Sequence, residues 1–187
     1  LDVGEFWHTG IERSEPLFEE LRQSVAERKV RVHVATRGEE IVRGEPCRLT
    51  VLNPIASQNG AAPIQGISGT FLNNVSVVVQ LTCGHQSILF AADLETDGLH
   101  RLTAMGQSPV TVLKVPHHGA RSSLDREWIW LARPRYAVFS VGRHNSYGHP
   151  VPDVVQAYSA IGSEVARTDR DGAIVMTGRL STFDIQV

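Results

Sequence analysis

Val110-Thr-Val-Leu-Lys-Val-Pro-His-His-Gly119 decides how the rest of the chain is read. Its apolar run, residues 110–115, has the pattern of a buried strand. Pro116 and Gly119 bracket two adjacent histidines, and Ser122-Ser-Leu-Asp125 then looks like the cap of a following helix. Two imidazoles therefore stand in a strand-to-helix loop at one end of a sheet. In open α/β architectures that end is where ligands and metals collect. Imidazole is also the commonest protein ligand for zinc-like ions.

Downstream of this stretch, strands and helices alternate. Leu124, Trp128 and Leu131 mark a helix face, residues 136–141 a strand, and Val154, Val155, Tyr158 and Ile161 the next helix. Strands follow at 164–168 and 173–176 around the turn signal Asp169-Arg-Asp-Gly172, and at 182–187. Upstream, residues 96–105 read as a helix. Residues 75–81 and 87–91 read as a hairpin turning at Cys83-Gly-His-Gln86. Residues 55–70, rich in Gly, Ala, Ser, Pro and Gln, read as a loop. Residues 46–52 and 30–34 read as strands. Before them a helix capped by Ser14 carries Leu17, Phe18, Leu21 and Val25 on one face, after a first strand around 5–8. Early hairpins followed by βα units indicate an α/β or mixed sandwich architecture.

The chain has 187 residues, 42% of them hydrophobic and 20% charged, which suits one globular domain with a substantial core. Its net charge of −2 argues against a binder that holds nucleic acid by bulk electrostatics, but not against an enzyme that handles it at a local site. No apolar run approaches the ~20 residues needed to span a bilayer, and no signal peptide is visible. The opening Leu1-Asp-Val-Gly4 leads us to expect a piece of a longer protein. Cys47 and Cys83 lie in separate strand-like runs. They read as two buried core thiols that would pair only in an oxidising compartment.

Three strand ends carry the candidate chemistry. Asp93 directly follows the run Ile88-Leu-Phe-Ala-Ala92 and precedes a helix, as either a helix cap or a site residue. His117 and His118 are adjacent, so they point in different directions and only one is expected to ligate a given ion. The other would orient substrate or support the ligand. His149 closes the polar loop Gly142-Arg-His-Asn-Ser-Tyr-Gly-His-Pro150, held extended by the proline. If the strands are neighbours, these residues converge. Carboxylate plus imidazole without thiol suits Zn²⁺ or Mn²⁺. His33, His85 and His100 read as structural or surface residues, and Lys114 and Arg121 as solvated surface charges. His8, at the end of the first strand, could approach the site.

Five segments in order carry a resemblance. They are Asn73-Asn-Val-Ser-Val-Val-Val79, Leu89-Phe-Ala-Ala-Asp93, Leu113-Lys-Val-Pro-His-His-Gly-Ala-Arg-Ser-Ser123, Ser140-Val-Gly-Arg-His-Asn-Ser-Tyr-Gly-His-Pro150 and Arg167-Thr-Asp-Arg-Asp-Gly-Ala-Ile174. Together they resemble the C-terminal metallo-β-lactamase-fold domain of the ComEC family of DNA-internalisation competence proteins, over nearly the whole chain. The resemblance implies an αββα sandwich spanning residues 1–187, and a metal-dependent nuclease that degrades one DNA strand during uptake. It implies two divalent ions, Zn or Mn, with Asp93 bridging them and one of His117 and His118 as a further ligand. His118 and His149 then become catalytic candidates, and Asn145, Tyr147 and His149 substrate-binding candidates. The implied partners are DNA, single-stranded above all, and a membrane channel elsewhere in the same polypeptide, with the domain on the extracytoplasmic side of a bacterial inner membrane.

Two departures stand out. Ala91-Ala92 replace a segment that usually contains glycine, and the fold's early His-rich metal motif ending Asp-His occurs nowhere in these residues. The expectation is an N-terminally incomplete domain, inactive alone, with an open sheet edge that favours a homodimer. A stand-alone hydrolase of another phosphoester or ester, and a non-catalytic domain that has lost its metal site, are the alternatives.

Overall fold

The computed structural model describes residues 2–13, 15–42, 46–56, 68–179 and 182–186. Its centre is a seven-stranded mixed sheet in the order β3-β4-β5-β6-β7-β8-β9. The strands are β3 (Glu40–Val42), β4 (Cys47–Asn53), β5 (Val78–Cys83), β6 (Gln86–Phe90), β7 (Val112–Lys114), β8 (Tyr136–Phe139) and β9 (Glu164–Arg167). From β3 to β6 neighbours are antiparallel, and from β6 to β9 they are parallel. The change of pattern follows the connections. A two-residue turn at Gly84-His85 joins β5 to β6, whereas parallel neighbours need helical crossovers.

Those crossovers are α3 (Thr96–Ala104), α4 (Arg126–Ala132) and α5 (Pro152–Ala160). Leu99, Leu102, Trp128, Ile129, Val154 and Tyr158 come from these helices into one core with Leu89, Leu113, Ala137 and Phe139 of the sheet. Strand alternation sends Val112, Tyr136 and Val138 to the opposite face, where Ile174 and Met176 cover them. Met176 belongs to the hairpin of β10 (Val175–Arg179) and β11 (Thr182–Gln186). All four residues of β8 are buried, as expected of a parallel strand covered on both sides. The architecture is thus mixed α/β with a large central sheet, as the alternation of elements predicts.

Residues 5–34 form a small first unit with its own two-stranded sheet. β1 (Glu5–His8) pairs in parallel with β2 (Arg31–Val34) across α1 (Pro16–Glu27). α1 buries none of its residues. Its N-cap position is Glu15, and the Ser14 expected there lies outside the described residues. Among the described residues no helix is long and apolar enough to cross a membrane.

Several expectations are corrected. Cys47 and Cys83 are not buried thiols; they form a disulfide. They are directly paired in the β4–β5 register with Cα atoms 4.2 Å apart, a juxtaposition invisible until the register is known. The loop read over 55–70 gives way to α2 (Gly69–Asn74), capped by Ser68, whose side chain accepts the Phe71 N–H; residues 57–67 lie outside the described set. The strand read from residue 75 begins at Val78. After the histidine pair, the helix cap is Asp125, which accepts the Trp128 N–H at 3.0 Å. Ser122 and Ser123 form a short 3₁₀ turn instead.

Candidate functional site

Asp93, His118 and His149 all follow the C-terminal ends of neighbouring strands β6, β7 and β8, which the sheet order brings together. Asp93 is not a helix cap. The cap of α3 is the buried side chain of Asn74, whose Oδ1 accepts N–H bonds from Glu95 at 3.1 Å and Gly98 at 2.9 Å. That leaves the Asp93 carboxylate uncommitted to the helix, with half of its surface open.

The two adjacent histidines part company, as their positions predict. His118 turns to Asp93, with Nε2 3.4 Å from Oδ1. Its other nitrogen, Nδ1, lies 2.7 Å from the Ser140 carbonyl. A carbonyl only accepts, so Nδ1 carries a proton. Nε2 then either presents its lone pair to the carboxylate or carries a second proton. A backbone carbonyl fixing one ring nitrogen is the support found behind metal-ligating histidines, whose other nitrogen holds the ion. His117 faces the other way. Its Nδ1 lies 3.6 Å from Glu95 Oε1 and 3.3 Å from the Ser122 hydroxyl. Glu95 also accepts from Asn73 Nδ2 at 2.8 Å.

Backbone strain is concentrated here. Ala92, His117 and His118 all have φ near +50°, a region costly for residues with a Cβ. The Ala92 carbonyl accepts both the His117 N–H at 3.0 Å and the Lys114 ammonium at 2.9 Å, which holds this turn in place. Lys114 is therefore not a solvated surface charge. Its side chain is mostly buried and its Nζ lies 3.7 Å from Asp93. Burial pulls its pKa down, and Asp93 opposes that shift. Arg121 does lie at the surface, paired with Asp153 at 2.9 Å. At Gly119, φ is +81°, and an added Cβ would sit 2.7 Å from the Phe139 ring and 2.8 Å from Pro150. Only glycine lets the loop close this tightly on β8.

His149 meets His117 edge to face, with ring centroids 5.9 Å apart. Burial, reinforced by His117 and His118, lowers its pKa. Asn145 spends its amide inside the loop: Nδ2 donates to Gly142 O and His149 O, and Oδ1 accepts the His149 N–H. It supports the loop rather than offering a free donor to a ligand. Tyr147 is exposed. His8 stacks on Phe6 in the first unit, and His33 stacks on Trp7 there. His100 lies at the surface, 2.9 Å from Asp125. The sequence reading missed Glu95, Asn73, Ser122 and Ser140. Glu95 stands at the N-cap position of α3, and the others act through a side chain or carbonyl that no local pattern marks.

A divalent ion needs about three protein donors for a firm site. Among the described residues no group of three or more His, Cys, Asp or Glu side chains comes together in that way. Asp93 and His118 supply two donors. Their 3.4 Å separation is close to the ~3.3 Å between ligands of one tetrahedral ion with bonds of ~2.0 Å. The described residues fit part of such a site and not the whole of it.

No family model matches the chain. Among curated proteins it is 30% identical over 175 residues to ComE operon protein 3 of Bacillus subtilis, covering 92% of this chain and 21% of that protein. It is 34% identical over 104 residues to competence protein ComA of Neisseria gonorrhoeae, covering 54% of this chain and 15% of that one. Among solved structures, a CmlA β-hydroxylase E377D mutant aligns with TM-score 0.45 and 16% identity over 77% of this chain and 34% of its own. That likeness is too distant to carry weight. The chain spans about a fifth of the length of ComE operon protein 3. By sequence, then, it is similar to one segment of the ComEC-type competence proteins.

Proposed function

We propose that this chain is part of a metal-dependent nuclease domain of the metallo-β-lactamase type, acting on DNA during uptake. The observation that carries the reading is the Asp93–His118 pair at the ends of the parallel strands, with the His118 ring fixed by the Ser140 carbonyl. A carboxylate and an imidazole nitrogen at 3.4 Å are mutually unfavourable acceptors unless a proton or a cation joins them. Zn²⁺ or Mn²⁺ would supply that charge, with further donors from outside the described residues. His118 rather than His117 is then the ligand, and His117 is a neighbour held by Glu95. His149, edge to face with His117 and lining the cavity beside His118, is suited to contact a phosphate or pass a proton. Asn145 supports the loop that presents Tyr147 and His149 to substrate. Lys114 orients the Asp93 turn through the Ala92 carbonyl.

The names of the competence relatives support a role in DNA uptake; DNA as substrate and a membrane channel in the same polypeptide as partner belong to the same proposal. The disulfide supports an extracytoplasmic placement, because such bonds persist in oxidising compartments. Pairing of two copies through a sheet edge is part of the same reading. One observation favours a second reading, a domain without catalysis: the absence of a three-donor cluster among the described residues.

The test is cleavage of linear single- and double-stranded DNA by the full-length protein with Mn²⁺, beside Asp93→Asn and His118→Gln. The nuclease reading expects cleavage that either substitution reduces at least a hundredfold. Folded full-length protein that leaves DNA intact, or variants that cut as well as the parent, would favour the second reading.

A further inference from the structure

Four rings form a row from solvent to the Asp93 carboxylate. Tyr147 lies at its outer end, 81% exposed, and stacks on His149 with centroids 5.9 Å apart and planes within 17°. His149 meets His117 at 5.9 Å, and His117 meets His118 at 6.5 Å. A cavity of about 290 Å³ runs beside this row, lined by His118, Ser140, Asn145, Tyr147, His149 and Thr168 among others. The Tyr147 ring is thus one wall of a cavity whose other wall is the histidine facing Asp93.

The loop that carries Tyr147 is held in place. Asn145 ties Gly142 to His149 by three hydrogen bonds, so the ring is presented without further ordering. A rigid aromatic ring offered to solvent at low entropy cost is a surface for a flat π-ligand. Thr168 turns its hydroxyl to the backbone of Val141, at 2.8 Å, and the Ser140 carbonyl is taken by His118. The Thr168 hydroxyl and the Ser140 carbonyl are therefore spent, and His149 Nδ1, which has no partner, is buried away from the cavity's solvent. A ligand seated there would be gripped by its face and not by its hydrogen-bonding edge.

We propose that Tyr147 is a stacking platform for one unpaired nucleobase of the strand whose phosphate lies at His118 and Asp93. This rests on the nuclease reading and deepens it. Stacking of this kind tolerates every base and excludes paired ones, whose faces are already covered. The platform would make the site selective for single strands without sequence preference.

The test uses the full-length protein without added metal. The probes are a single-stranded oligonucleotide carrying 2-aminopurine, the same oligonucleotide with abasic residues, and the corresponding duplex. Tyr147→Ala is expected to weaken binding of the first about tenfold and to abolish the quenching of 2-aminopurine. Tyr147→Phe, which keeps the ring, should bind like the parent. The abasic strand should bind parent and Tyr147→Ala alike. Equal binding of the 2-aminopurine strand by parent and Tyr147→Ala would overturn the platform while leaving the nuclease reading intact. So would a loss in Tyr147→Phe as large as in Tyr147→Ala, because it would assign the hydroxyl rather than the ring. A parent protein that binds no single strand would overturn the platform, and the cleavage test with Mn²⁺ decides the nuclease reading separately.

Discussion

The first unit and the parallel half of the sheet are each built as strand, helix, strand, yet they are held in different ways. α4 and α5 bury Trp128, Ile129, Val154 and Tyr158 completely or nearly so against β7 and β8. α1, with an apolar stripe of its own, buries no residue, and Leu17 on that stripe is 77% exposed. Periodicity shows which face of a helix is apolar, but not what covers that face. Stability therefore belongs to the parallel half, and so does the candidate site.

The difference can be broken most directly at Trp128. Trp128→Ala should cost about 3–5 kcal/mol in denaturant unfolding, because the side chain is fully buried and its neighbours close only in part. A loss below about 1 kcal/mol would mean that the helices do not anchor the sheet. Next comes the antiparallel side. Replacing both Cys47 and Cys83 by serine should cost about 4 kcal/mol, since the bond closes a loop 36 residues in sequence separation. An unchanged melting temperature on reduction would show that β4 and β5 pair without it.

A smaller effect of opposite sign is expected at the site. Ala92→Gly should stabilise the protein by up to about 1 kcal/mol, because it relieves a positive φ that glycine adopts freely. Destabilisation instead would show that the Ala92 methyl is needed for packing. The smallest effect is expected in α1. Leu17→Ser should change stability by less than about 0.5 kcal/mol in this chain. A larger loss would show that the first unit has a covering partner, such as a second copy.

Much of this organisation was readable in the residues. The alternation after residue 87 gave the parallel half, and the strand-end positions of Asp93, His118 and His149 gave their convergence. What could not be read depends on register or on backbone conformation. Cys47 and Cys83 look like isolated core thiols until β4 and β5 are aligned. Lys114 looks like a surface charge until Ala92 turns its carbonyl inward through a positive φ. The different surroundings of His117 and His118 depend on the Ser140 carbonyl, which sits on the next strand connection and leaves no mark in the local sequence. The role of Asn74 as the cap of α3 was hidden for the same reason, because it comes from 22 residues upstream of Thr96.

The central claim is that Asp93 and His118 act together as two donors of one centre. Calorimetric titration of Zn²⁺ into this 187-residue chain tests it most directly, beside Asp93→Asn, His118→Gln and His117→Gln. The account predicts weak binding, with a dissociation constant on the order of micromolar or above, as befits two donors where about three are usual. It predicts that binding is lost in Asp93→Asn and in His118→Gln and kept in His117→Gln. Zinc binding that survives both of the first two substitutions, or that vanishes with His117→Gln alone, would contradict it.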